Sequence, residues 1–444
     1  MMEESGNSKT QQEENVSINI VQVKKKFEKV PCNIFKVPYE IRQLNINAYM
    51  PRVISIGPFH HGKSELEPME KHKEKYYKSF KSRRVPREQR GTVESKEGEE
   101  RDTVEGIIKQ REESIRSCYA EPIQHDRDFF VNMILVDALF ILELFFRSYY
   151  KTMPANDDPL FVIGPLRETM ALDLLLYENQ LPFFVLEELF ERAYNPDEVP
   201  LIQLALNFFK GFDFFNGFNE KNKTLTSEVK IKHLTDLLRC FMLPSSFENL
   251  PEEERDKDVT LSYSAKQLHE AGVKFKVSSS KCLYGITVEK GVLKIPSLKL
   301  SYSTEALIRN VMALERYSYR TNGYITDYFA MLDLLIDSTQ DMDLLCDMGI
   351  VKHYLGDRRT ATNMVNNLHT NISWEGLNSK YCKICNDLHK FYKKPSNRWM
   401  AALRRDYFNS PWRGASTIAA FILLLLTLIQ TICSIISVVY SKPV

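Results

Sequence analysis

The spacing of apolar positions predicts a mainly helical chain. The strongest internal apolar run is Asp128 to Tyr150, DFFVNMILVDALFILELFFRSYY. At about 100° per residue, Asp128, Asn132, Glu143 and Arg147 fall within one arc of roughly 100°. Glu143 and Arg147 also stand at i,i+4. Asp137 falls on the opposite side, where a buried carboxylate needs a donor. Asp137 and Glu143 would each cost about 2.5–3.5 kcal/mol near a bilayer centre, so the run predicts a core helix rather than a membrane span.

The same periodicity predicts a surface helix over Leu66–Phe80. It predicts two helices within Leu166–Arg192, joined at Glu178-Asn179-Gln180-Leu181-Pro182, with Asn179 as a cap or turn residue and Pro182 in the first turn that follows. Further helices are expected at Leu201–Phe209, Glu228–Phe241, Ser264–Gly272, Thr304–Tyr319, Ile325–Ile336, Asp341–Val351, Thr360–Thr370 and Leu377–Tyr392. Two segments break the pattern. Val30 to Pro58 is extended, because Pro31, Pro38, Pro51 and Pro58 do not all fit inside helices. Between Val273 and Ile295 apolar and polar residues alternate around a Lys290-Gly291 turn, which predicts a small antiparallel sheet. Ser246–Lys257 reads as an acidic loop.

Near the C-terminus the pattern loses its polar positions. Ala415 to Tyr440 holds 26 residues without a charge. As a helix it measures about 39 Å, against a hydrocarbon core of about 30 Å. Lys390, Lys393, Lys394, Arg398, Arg404, Arg405 and Arg413 precede it, and Lys442 follows. This asymmetry predicts a transmembrane helix with the larger part of the chain on the cytosolic side. Trp399, Tyr407, Phe408 and Trp412 suit the interfacial belt, and the basic juxtamembrane segment suits anionic lipid. The polar Met1–Glu14 has no signal-peptide character, and the four residues after the span predict post-translational insertion. The span's length favours a thick membrane such as the plasma membrane.

The organisation expected is therefore a flexible arm at 1–29 and a mainly helical cytosolic domain at 30–395. A basic and aromatic linker follows at 396–414, then a transmembrane helix at 415–440 and a tail at 441–444. The domain holds a small β element at 273–300 and a charged insertion at 82–105 that reads as disordered. Charge is segregated around that insertion: residues 63–90 carry ten Lys/Arg against five Glu, and residues 91–113 carry four against eight acidic residues. The whole-chain net charge of +1 excludes a nucleic-acid binder that works by bulk charge. Eight scattered cysteines indicate a reducing compartment. The sequons at Asn15, Asn222 and Asn371 therefore read as unmodified.

Candidate chemistry is sparse. Cys382-Lys-Ile-Cys385 with His389 lacks the second ligand pair of a structural zinc site and sits in a helical pattern. His60, His61 and His72 lie near Glu65, Glu67 and Glu70 without metalloprotease spacing. Phosphate-loop, nucleophile-elbow and dinucleotide fingerprints are not found. No catalytic, cofactor or metal residue is assigned. The nearest thing to an enzyme site is the set His60, His61 and Asp137.

Several segments together carry a family resemblance. They are Ile34-Phe-Lys-Val-Pro38, Tyr49-Met-Pro-Arg-Val-Ile-Ser-Ile-Gly-Pro-Phe-His-His-Gly62, Leu66-Glu-Pro-Met-Glu-Lys-His-Lys73 and Asp173-Leu-Leu-Leu-Tyr-Glu-Asn-Gln-Leu-Pro-Phe-Phe-Val-Leu186. The chain resembles the plant proteins grouped as domain of unknown function 247, from about residue 34 to the apolar C-terminal segment. The resemblance implies a mostly helical plant membrane protein. It carries over no catalytic residue, because no activity is established for the family. Some members are associated with self-incompatibility loci in grasses, which implies recognition or signalling. The stretch Lys81–Arg111 is long beside the family pattern.

The expected function is a membrane-anchored interaction or signalling module, with the lipid bilayer and an unidentified protein as partners and no nucleic acid. The rivals are a membrane-tethered enzyme near His60, His61 and Asp137, and a purely structural tether.

Overall fold

In the computed structural model the described residues are 34–83, 103–150, 158–193, 199–212, 230–244, 247, 255–256, 261–280, 282–319, 321–368, 370, 376–407 and 411–440. The expected arm 1–29, residues 84–102 of the charged insertion, the three sequons and the tail 441–444 lie outside them.

The first half is built from α1 (Tyr39–Arg42), α2 (Glu67–Arg83), α3 (Val104–Ser117), α4 (Arg127–Tyr150), α5 (Pro159–Val162), α6 (Gly164–Asp173), α7 (Phe183–Ala193), α8 (Leu201–Lys210) and α9 (Leu234–Met242). The pillar is α4, against which α2, α3, α7 and α8 all pack. It is apolar on nearly every side because it is enclosed on nearly every side. Asp137 and Glu143 are both buried in it. The expected pair forms, with Arg147 Nε 2.6 Å from Glu143 Oε1, and Arg147 also reaches Asp158, 3.2 Å away on the N-cap of α5. Glu143 is therefore a core residue paired within its own helix, although it shares an arc with the exposed Asp128 and Asn132.

The second half contains α10 (Ala265–Glu270), α11 (Tyr302–Ser318), α12 (Tyr324–Leu335), α13 (Thr339–Asp347), α14 (Arg358–Leu368), α15 (Ser379–Lys393), α16 (Pro395–Tyr407) and α17 (Pro411–Tyr440). Their starts follow capping chemistry. Ser301 and Thr304 close a capping box on α11, Ser338 and Asp341 one on α13, and Asn378 accepts from Tyr381 N on α15. One apolar cluster runs from Ile34 to Leu388 and joins both halves.

Short strands stitch this half: β1 (Arg255–Asp256), β2 (Lys274–Val277), β3 (Thr287–Glu289), β4 (Val292–Ile295), β5 (Leu298–Leu300), β6 (Val351–His353) and β7 (Leu377–Asn378). The Lys290-Gly291 hairpin forms as expected, with φ of 48° and 76°, the left-handed pair of a two-residue turn. The sheet is not wholly antiparallel, however. Its order is β2-β4-β3, and β2 runs parallel to β4. The link through the 3₁₀ turn Leu283–Gly285 carries the chain across, so β4, with Leu293 and Ile295 buried, uses both edges. β5 leaves this sheet and pairs in parallel with β6. Several boundaries also shift. The helix expected from Glu228 starts at Leu234, where His233 caps it. The segment expected to be extended from Val30 to Pro58 holds helical turns at Tyr39–Arg42 and Ile46–Ala48. The helix expected to reach Val351 stops at Asp347, because Gly349 turns at φ 72° and Val351 opens β6. Within the expected Ser246–Lys257 loop, residues 255–256 pair with β7.

Candidate functional site

The segments that carry the resemblance meet in the interior. Residues 52–57 lie in neither a helix nor a strand, with bends at 52, 53 and 57, so their amides need other acceptors. Asp173, at the end of α6, supplies one oxygen to three of them: Oδ2 accepts from Arg52 N at 3.0 Å, Val53 N at 2.7 Å and Ile54 N at 3.0 Å. Asn179 Oδ1 accepts from Ile56 N at 2.7 Å, and its Nδ2 donates to Ile54 O and Asp173 O. Asp137 Oδ2 accepts from Gly57 N at 2.8 Å. Gln180 folds back with Nε2 on Leu174 O and Leu176 O, while its Oε1 accepts from Leu234 N at the start of α9. Asn310 on α11 accepts from Tyr177 N and donates to Ala48 O. The polar island Glu178-Asn179-Gln180 thus acts as a set of buried clamps. Asn179 does not cap α7, which begins at Phe183 with Pro182 just ahead of it.

Asp137 has both oxygens occupied. Lys73 Nζ lies 2.6 Å from Oδ1, and the fully buried ammonium also meets Glu70 at 2.8 Å and Ser55 Oγ at 3.3 Å. Burial raises the Asp137 carboxyl, and Lys73 opposes that shift.

His60 belongs to a second cluster. Glu178 Oε1 accepts from Val37 N at 2.8 Å and from Arg42 Nη2. Its Oε2 faces His60 Nε2 at 3.5 Å, beyond a normal hydrogen bond. Lys63 Nζ sits 2.9 Å from His60 Nδ1. An ammonium only donates, so Nδ1 is the acceptor and the ring proton is assigned to Nε2, toward Glu178. Burial lowers both His60 and Lys63. His61 stands apart, packed edge-on to Phe129 with ring centres 5.4 Å apart. The structure therefore sets His60 and Asp137 along one segment, 49–62, which carries His60 and meets Asp137 through Gly57 N, but gives them separate partners; Asp137 is saturated and His60 Nε2 is not.

The remaining candidates are dispersed. Cys382 Sγ points to Leu377 O and Cys385 Sγ to Met331 Sδ, while His389 stacks on Tyr263. Among the described residues no group of three or more His, Cys, Asp or Glu is arranged to hold a metal ion.

The surface has a different character at the C-terminal end. Among the described residues two helices are long and apolar enough to cross a membrane, α4 and the Gly414–Ser437 part of α17. The first is mostly buried, and the second exposes Phe421, Leu424, Leu428, Ile432 and Ile435. Just before it, Trp399, Leu403, Tyr407 and Trp412 are exposed as well.

The comparisons cover most of the chain. The model of a family described as plant protein of unknown function, domain of unknown function 247, matches residues 34–426. UPF0481 protein At3g47200 of Arabidopsis thaliana is 29% identical over 437 residues, covering 93% of this chain and 88% of that protein. Putative UPF0481 protein At3g02645, also of Arabidopsis thaliana, is 21% identical over 497 residues, covering 91% and 90%. No solved structure matches. The segments that clamp one another in the core lie within the matched region, and the chain belongs to this plant family of unknown function.

Proposed function

We propose that the chain is a single-pass membrane protein whose helical part lies on the cytosolic side and serves as an interaction or signalling module. The observation that carries this is the contrast between its two apolar helices. α4 is enclosed by other helices, whereas α17 presents its leucines and isoleucines to the surroundings along its length. An exposed apolar surface of that extent is costly in water and stable in lipid. The orientation rests on the seven Lys/Arg that precede the span. The plasma membrane is favoured by the span's length.

The interaction role is favoured because the positions that suggested an enzyme do not form one site: Asp137 is held by Lys73 and Gly57, His60 is held at Nδ1 by Lys63 with Nε2 3.5 Å from Glu178, and His61 packs on Phe129. The test is protease protection in sealed microsomes of known sidedness, with carbonate extraction beside it. The expected result is carbonate resistance with the helical part open to protease on the cytosolic side. Luminal protection of that part would overturn the orientation. Recovery of only a monomer after mild cross-linking in native membranes, with and without residues 82–105, would count against the interaction role.

A further inference from the structure

We propose that α16 is a membrane-surface helix, with Trp399, Leu403 and Tyr407 seated at the headgroup boundary of an anionic bilayer. This deepens the membrane reading and rests on it, because the bilayer is the one α17 crosses. The three residues stand at i, i+4 and i+8, within an arc of about 80°. They are 78%, 43% and 53% exposed, and Trp412 follows at 84%. Another part of the helix surface is taken by protein, since α16 packs against α10 and α15. The stripe is thus a large exposed apolar feature on a helix already docked elsewhere, the mark of an interaction surface.

Three observations select lipid as the occupant. The first is reach. Residues 408–410 alone separate α16 from α17, so Tyr407 lies within about 14 Å of the start of α17. α17 has 30 residues and measures about 45 Å, which matches hydrocarbon plus both headgroup layers at about 40–45 Å. Its first turn therefore falls at headgroup depth, and α16 begins from there. The second is residue type, because Trp and Tyr concentrate at that depth. The third is charge. Residues 390–414 hold seven Lys/Arg against Asp406 alone, and Lys390, Lys393 and Lys394 at the end of α15 are exposed. Each basic residue near an anionic surface contributes about 1 kcal/mol, or roughly fivefold in the equilibrium. A helix held this way fixes α10 and the body of the protein against the membrane.

The test uses the full chain in phosphatidylcholine vesicles with and without phosphatidylserine. Substituting W374F and W412F leaves Trp399 as the reporter among the chain's three tryptophans. The expected result is blue-shifted emission, strong quenching by lipids brominated near the glycerol end of the acyl chains, and weak quenching by acrylamide. Phosphatidylserine should strengthen the effect, and K393Q with K394Q should weaken that dependence by roughly fivefold per lysine. L403E should return Trp399 to the aqueous signal while the chain stays carbonate-resistant. Acrylamide access in the unmodified helix of a carbonate-resistant chain overturns this inference and leaves the anchor standing. Carbonate release of the chain overturns both. Shielding from acrylamide and from brominated lipid together also overturns it, since protein then covers the stripe. Quenching indifferent to phosphatidylserine overturns the anionic preference.

Discussion

At Gly57 the backbone has φ 69°, and a Cβ there would meet Gln180 O at 2.6 Å and Tyr119 Oη at 2.9 Å. A side chain is excluded twice, by conformation and by space. Gly57→Ala should therefore cost about 2–4 kcal/mol, read as a lower midpoint in denaturant. Gly62, also at positive φ, has open space around it and should lose only the conformational part on the same change. His233 offers a pH-dependent counterpart. It caps α9 by accepting Asp236 N at Nδ1, 3.3 Å away. Burial pushes its pKa down to about 4, with Asp236 opposing and Lys232 assisting that shift. The unfolded chain thus takes up this proton at higher pH than the folded one. The stability due to the neutral ring is complete above about pH 6.5 and is lost as pH falls toward 4, by roughly 3 kcal/mol. His233→Asn keeps a capping acceptor and should flatten that limb of the pH–stability curve.

Among elements, the α2–α4 contact encloses one buried ion pair, Lys73 with Asp137, beside the packing of Tyr76 on Phe140. Removing one partner with Asp137→Ala leaves the buried Lys73 ammonium with Glu70 as its remaining carboxylate and strips Gly57 N of its acceptor, a loss of up to about 3–5 kcal/mol. The double change Asp137→Leu with Lys73→Met should recover most of that loss. A double-mutant cycle by thermal melting checks this, and simple additivity would show that Lys73 finds other partners. The elements themselves were largely legible in the sequence. α4, α8, α10 and the hairpin follow directly from period and turn chemistry, and Asp137 was identifiable as a carboxylate in need of a donor. Its donors were not, because Lys73 sits in a strongly charged helix that reads as surface, and Gly57 is 80 residues away in sequence. The parallel β2–β4 pairing was hidden for a related reason: alternation fixes which face a strand buries but not which neighbour it takes. Asn179 reads as a cap or turn residue because local chemistry gives Asn those roles, whereas two of its partners, Ile56 N and Ile54 O, lie more than 120 residues away.

For the whole molecule the decisive contrast is between two helices of similar apolarity and opposite surroundings. Leu424→Arg with Leu425→Arg in α17 should each add about 2.5–3.5 kcal/mol to insertion. The expected outcome is release by carbonate without loss of helical signal, since α17 exposes its side chains and the core does not depend on them. Loss of the fold on that change would mean that α17 is a structural part of the body.

The clamping of residues 52–57 also sets an order in time. A ribosome adds about 5–20 residues per second, and Asp173 follows Arg52 by 121 residues. These amides therefore wait roughly 6–24 s for their acceptors. Asn310 reaches Ala48 only after 262 residues. During that interval α4 has already emerged, apolar enough to be taken for an anchor and not yet enclosed. Asp137 and Glu143 are the features that make it a poor substrate for the insertion machinery while it waits. The carboxylates that later hold the core together thus also disfavour α4 as a membrane span, and under the reading proposed above they leave that role to α17.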